Sequence, residues 1–179
     1  MSDTIEITPF SAADVDDVWA FFQRLPEGDR TFAKEPVTEL TSVLGWLDDA
    51  RAMRFVGRAD GDVVGYVAVI PGVGWSRHVG ELRLVVDPAV RRRGIGQRLA
   101  SHALRIAVEA SLTKVVVEVV AVQDSTIALF TRLGFRAEAL LEDQVQDPAG
   151  NYSDLIVLAN RTDADWGVLA TVGLDEQLD

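Results

Sequence analysis

The 179-residue chain contains no cysteine. That excludes a disulfide framework, a thiolate nucleophile and any zinc site built on sulfur. With only two histidines, His78 and His102, a histidine-rich metal centre is not expected either. No apolar run approaches the roughly 18 residues of a membrane-spanning helix. The opening Met-Ser-Asp-Thr-Ile lacks the basic-then-apolar layout of a secretion signal, so the expected compartment is the cytoplasm and no membrane partner is expected. Positive charge is also scarce. Seventeen Lys and Arg stand against 28 Asp and Glu, a net −11. Such a chain is poorly suited to nucleic acid or to an anionic membrane surface.

What is present is ordinary for a globular protein: 48% hydrophobic and 25% charged residues, without repeats or low-complexity segments. The length suits one domain, expected over residues 1–160. Residues 161–179, with one basic and five acidic side chains, read as an acidic extension. Thr4–Thr8 reads as a first strand. Ser11, with Asp14 three residues on, caps a helix carrying Val15, Val18, Trp19, Phe22 and Leu25 at helical spacing. Pro26-Glu27-Gly28 breaks it, and Leu25–Arg30 connects to a second helix over Pro36–Leu47, with Leu40, Val43, Leu44 and Leu47 on one side. Met53–Ala59 and Val63–Ile70 form a hairpin about Asp60-Gly61. A strand at Gly80–Val86 leads to a helix at 94–110, whose apolar face is Ile95, Leu99, Ala103, Ile106 and Ala110. The apolar run Lys114–Val122 reads as a strand covered on both faces. A helix from Ser125 to Leu133, stopped by Gly134, precedes two closing strands at 135–146 and 152–158. The fold class is α/β, a mixed sheet with helices on both faces.

One segment carries chemistry. After the strand ending Leu84-Val85-Val86 come Asp87-Pro88, then Arg91-Arg92-Arg93-Gly94-Ile95-Gly96-Gln97 and a helix. A helix N-terminus offers free N–H groups and partial positive charge, and glycines let an anion approach them. Cations are disfavoured there, so three consecutive arginines make sense once an anion is bound. Residues 87–98 hold four arginines and one aspartate, a local +3 within a −11 chain. The segment is neither a Walker loop nor a dinucleotide fingerprint, since it lacks Gly-Lys-Ser/Thr and the third glycine.

This segment resembles the pyrophosphate signature (Gln/Arg)-x-x-Gly-x-(Gly/Ala) of the GNAT superfamily of acyl-CoA-dependent N-acetyltransferases. Ala128-Leu129-Phe130-Thr131-Arg132-Leu133-Gly134-Phe135 is similar to that family's second signature. The resemblance spans about residues 4–158. It implies a GNAT-like six- or seven-stranded mixed sheet with splayed fourth and fifth strands, and acetyl-CoA as cosubstrate without a metal. It implies that the pantetheine arm runs along Leu84, Val85 and Val86. The pyrophosphate would lie on Arg91, Arg92, Arg93, Gly94, Ile95, Gly96 and Gln97, with Phe130 as a further cofactor contact. The implied reaction is direct acetyl transfer to a primary amine of a small molecule, a peptide N-terminus or a protein lysine. Isologous dimers are common in the superfamily, which leaves a homodimer open here.

An amine must lose a proton before attack, which calls for a base. Glu81 and Glu118 interrupt otherwise apolar strands, where a carboxylate is costly unless used or paired. Both match positions where GNAT members carry a catalytic or water-relaying glutamate. The other reading is a strand-end glutamate or an ion pair with Arg83 or Lys114. Burial is expected to raise the pKa of either. Many members protonate the leaving thiolate with a tyrosine in the second signature, but here that position is Phe130, and Gln123 stands where many have asparagine. The tyrosine acid is therefore not carried over, and an alternative is an acyl-CoA-binding or sensor domain with weak or no catalysis. His102 is expected at the surface and His78 in an exposed loop. Trp19, Phe21, Phe22, Phe32 and Trp46 are expected mostly in the core. Glu142, Asp143 and Asp147 read as solvated, with the capacity to attract a cationic acceptor.

Overall fold

A computed structural model describes residues 5–31 and 33–162 of the chain; the acidic extension beyond, Thr4 and Phe32 lie outside them. The elements are β1 (Glu6–Pro9), α1 (Val15–Arg24), α2 (Glu27–Thr31), α3 (Leu40–Gly45), β2 (Met53–Ala59), β3 (Asp62–Pro71), β4 (Val79–Val86), α4 (Ile95–Glu109), β5 (Lys114–Val120), α5 (Asp124–Arg132), β6 (Arg136–Gln146) and β7 (Tyr152–Asn160). They form a seven-stranded sheet ordered β1-β2-β3-β4-β5-β7-β6, parallel at β4–β5 and antiparallel at β1–β2, β2–β3, β5–β7 and β7–β6. The fold is the expected mixed α/β architecture. The chain divides into two compact units, with β4 and α4 contributing to both.

The first unit comprises residues 1–70 and 83–103. Its hairpin turn has Asp60 at φ 52° and Gly61 at φ 92°, the paired positive φ values that favour Asp-Gly. One sheet face carries Val56, Val63, Tyr66 and Ala68, which pack with Val15, Val18, Phe21, Phe22 and Leu25 of the α1 segment and with Val37, Val43 and Trp46. Trp46 stacks on Tyr66 at 4.8 Å between ring centroids. The other face receives α4. Gly57 and Gly65 are cross-strand partners, and a Cβ on them would stand 3.1 Å and 2.6 Å from the Leu99 side chain, so the two glycines make room for the helix. Helices therefore cover both faces of the sheet within this unit.

Several local expectations need correction. The first helix ends at Arg24 as expected, but the connection that follows contains a short helix, α2, at residues 27–31. The second expected helix shrinks to Leu40–Gly45, and of its leucine stripe only Val43 is buried, while Leu40, Leu44 and Leu47 are exposed. The buried face of α4 is Ile95, Leu99, Ala100, Ala103, Leu104 and Ala107, whereas Ala110 is exposed. His102 is half-buried and packs edge-on against Phe55 at 4.6 Å, so the surface reading of that histidine fails. Helical periodicity locates a stripe to within about one residue, and a small shift turned this imidazole toward the sheet.

The second unit comprises residues 71–82 and 104–179. Its parallel ladder pairs Val79 with Lys114, Gly80 with Val115 and Glu81 with Val116. Val115, Val117 and Val119 of β5 are buried, as are Phe130 and Phe135, whose rings meet edge-on at 5.1 Å. Gly134, at φ 84°, ends α5 in the left-handed conformation expected of a helix-stopping glycine. Asn160 donates to the Leu133 carbonyl at 3.0 Å, fixing the exit of α5 to the end of β7.

Candidate active site

The basic turn is built by short-range chemistry. Asp87 caps a 3-10 turn by accepting from the Ala89 N–H at 2.9 Å, and its own N–H donates to the Val64 carbonyl at 2.9 Å. The start of the turn is thereby fixed to β3. Arg92 follows at φ 66° and Gly94 at φ 78°. Glycine adopts such angles freely, whereas arginine does so at a cost. Two left-handed residues within three positions turn the chain from β4 into α4. The Arg98 N–H donates to the Gly94 carbonyl at 3.0 Å, opening the ladder of the 15-residue α4. The N–H groups of Ile95, Gly96 and Gln97 precede that bond, at the positive end of the helix dipole.

The three consecutive arginines differ in their partners. Arg91 donates through Nε to the Val86 carbonyl at 3.2 Å and through Nη2 to the Asp29 carboxylate of α2. No ion pair joins Arg92, Arg93 or Arg98 to another described residue, and all three are exposed. Val85 packs against the aromatic core of the first unit, while Leu84 and Val86 are half-buried. The donor set thus suits a diphosphate: exposed guanidinium charge beside backbone N–H groups on a braced turn.

Both candidate bases lie in the second unit and are half-buried. Glu81 stands opposite Val116 in the parallel ladder, and Glu118 is two residues beyond Val116 on β5. Laterally paired residues share a sheet face and alternate residues return to it, so the two carboxylates project from one face of neighbouring strands. Lys114 is joined to Glu138 at 2.6 Å, and Arg83 to Glu35 at 2.9 Å. Phe130 is fully buried. Of the two tyrosines, Tyr152 is exposed on β7. Tyr66 is buried on β3, which pushes its pKa well above the usual phenol value despite the neighbouring Arg54. Neither stands on α5.

Sequence reasoning missed a buried charge cluster. Arg54, inside β2 and almost wholly buried, donates to the Tyr66 hydroxyl, meets Glu35 at 3.3 Å and lies over the Trp46 ring at 4.6 Å from its centroid. Glu35 Oε1 also takes Arg83 of β4, fastening the segment after α2 to the strand. A lone arginine in the apolar run Met53-Arg54-Phe55-Val56 was the available signal, of the same kind that singled out Glu81. Among the described residues, no group of three or more His, Asp or Glu is placed to hold a metal ion, and no helix is long and apolar enough to cross a membrane.

No curated protein matches the chain at a significant level. Solved structures do. A ribosomal-protein-alanine N-acetyltransferase from Brucella melitensis is 22% identical with a TM-score of 0.74, covering 87% of this chain and 99% of its own. A spermidine N-acetyltransferase from Vibrio cholerae, in complex with CoA and spermine, is 16% identical with a TM-score of 0.77, covering 90% and 98%. The yncA protein of Salmonella typhimurium, solved with its cofactor acetyl-CoA, is 18% identical with a TM-score of 0.75, covering 89% and 95%. At these identities the likeness speaks for the fold. The sequence model described as the acetyltransferase (GNAT) family matches residues 16–135, about two thirds of the chain and the whole path from α1 through the basic turn to the end of the second signature. The chain therefore belongs to the acetyltransferase (GNAT) family.

Proposed function

We propose that the protein is an N-acetyltransferase that moves the acetyl group of acetyl-CoA directly to a primary amine. The observation that supports this reading is the β4–α4 turn, where left-handed Arg92 and Gly94, the N–H groups of the first turn of α4 and the exposed Arg92 and Arg93, without an ion-pair partner among the described residues, would together suit a diphosphate. Family membership adds acetyl-CoA as the molecule that carries it.

In the reaction, the amine nitrogen attacks the thioester carbonyl carbon, the C–S bond breaks, and the nitrogen loses a proton while the thiolate gains one. The products are an acetamide and free CoA. Much of the rate enhancement would come from holding amine and thioester in register, with a backbone N–H near Val85 polarising the carbonyl oxygen. With no cysteine in the chain, no acyl-enzyme thioester forms. Glu81 and Glu118 are the proposed bases, acting directly or through water. With Phe130 on α5, the thiolate takes its proton from water or from the amine itself. Structural neighbours act on a polyamine and on a ribosomal protein's alanine, so both acceptor classes stay open. The net charge of −11 favours a cationic acceptor.

Purified protein given acetyl-CoA and a panel of polyamines, amino acids and peptides is expected to release free thiol with at least one of them. Glu81→Gln and Glu118→Gln, compared by pH–rate profile, should divide the roles: the base variant loses the acidic limb and about 100-fold or more in rate. The second reading, an acyl-CoA-binding domain without turnover, is favoured by the buried phenylalanine in place of the tyrosine acid. Tight CoA binding with no thiol release from any amine would select it.

A further inference from the structure

Two ion pairs of opposite polarity tie the corner between α1 and α2 to the basic turn. At the end of α1, Arg24 donates to the Asp87 carboxylate at 3.1 Å and also to the Val63 carbonyl. On α2, Asp29 accepts from Arg91, whose Nε is held by the Val86 carbonyl. The first pair uses none of the arginines offered to phosphate. The second uses Arg91, the first residue of the Arg-x-x-Gly-x-Gly motif.

We propose that the Asp29–Arg91 pair is a latch that the cofactor's diphosphate opens, so that α2 is a cofactor-responsive segment. The proposal rests on the reading of the turn as a diphosphate cradle. Asp29 offers one carboxylate to Arg91, whereas a diphosphate in the cradle offers more charge and more acceptor oxygens to the same guanidinium, which favours exchange of partners. The Asp29 side chain is mostly shielded and Arg91 is about half exposed, so the arginine's outer nitrogens are the ones open to an incoming oxyanion. The Arg30 N–H donates to the Pro26 carbonyl at 3.1 Å, and its guanidinium donates to the Gln23 carbonyl at 3.2 Å. Arg24 meanwhile keeps α1 on Asp87, so the release is confined to residues 26–31. Cofactor binding therefore precedes movement of α2.

The test uses coenzyme A itself, calorimetry and amide hydrogen exchange on the full chain. Asp29→Asn removes the competitor and is expected to tighten CoA binding about three- to five-fold, the scale of a partly exposed ion pair. Asp17→Asn removes the same charge from α1, where Asp17 meets Arg58 at 2.9 Å, and is expected to leave CoA affinity unchanged. In the wild type, saturating CoA should speed exchange at residues 29–31, the reverse of ordinary ligand protection. In Asp29→Asn that exchange should already be fast and indifferent to CoA. Equal tightening by both variants, or slower α2 exchange on CoA binding, overturns the latch while leaving the diphosphate reading intact. No heat from wild-type protein at millimolar CoA overturns that reading and the latch with it.

Discussion

Arg54 and Arg92 belong to the same compact unit, yet the molecule treats them in opposite ways. Arg54 is walled into β2, with Glu35, the Tyr66 hydroxyl and the Trp46 face around its guanidinium. Arg92 stands exposed at φ 66° with no ion-pair partner among the described residues. A buried guanidinium must be matched by its own protein or the fold does not form. An exposed one on a strained, braced turn costs the fold little and has its charge left to give. Partner structure thus separates arginines that serve stability from those available to a ligand.

The largest expected effect breaks the stability side. Arg54→Met removes one partner of a buried pair and leaves Glu35 facing Arg83 alone. Urea unfolding should show a loss of about 3–5 kcal/mol, a large share of a typical domain's ~5–15 kcal/mol. A loss below ~1 kcal/mol would mean that the aromatic packing of Trp46 on Tyr66, and not the charge network, holds this region.

Next comes the ligand side. Gly96→Glu places a carboxylate in the first turn of α4, where the proposed cradle would hold phosphate. CoA affinity by calorimetry should fall about 100-fold, from lost access and added repulsion, while the melting temperature stays near that of the wild type. Arg92→Ala and Arg93→Ala should each cost about three- to ten-fold, most visibly at low salt, because exposed charge is screened. Equal losses of stability in these variants and in Arg54→Met would erase the distinction between the two kinds of arginine.

The sequence made the basic turn legible and left the buried charge cluster dark. The turn is a local object: glycines, arginines and a helix start lie within a dozen residues, so spacing alone announced it. The Asp60-Gly61 hairpin and the Gly134 helix stop were readable for the same reason, since each depends on the φ of one or two residues. Glu35, Arg54 and Arg83 are scattered along the chain and meet only after β2 and β4 take their places. The shared face of Glu81 and Glu118 needed the β4–β5 register, which pairing decides and composition does not. The leucines of α3 misled because helical spacing describes a stripe without saying whether anything covers it.

Asp14 gives the smallest effect and the finest test, since it sits between the two cases: a carboxylate serving stability near the surface. Its carboxylate accepts the Ser11 N–H at 2.9 Å, the Ser11 hydroxyl at 2.8 Å and Arg58 at 2.9 Å. Burial pushes its pKa up, but the bonds from Arg58 and Ser11 outweigh burial and hold it below the ordinary 3.8. A depressed folded pKa contributes stability above the unfolded value, and that contribution is lost as pH falls through the folded pKa. Asp14→Asn is therefore expected to cost about 1 kcal/mol at neutral pH. The cost should fade as the solution is acidified below about pH 4, where the wild-type carboxyl protonates as well. Stability curves of the two proteins that stay parallel from pH 7 to pH 3 would assign the effect of Asp14 to the shape of the helix cap and remove its charge from the account.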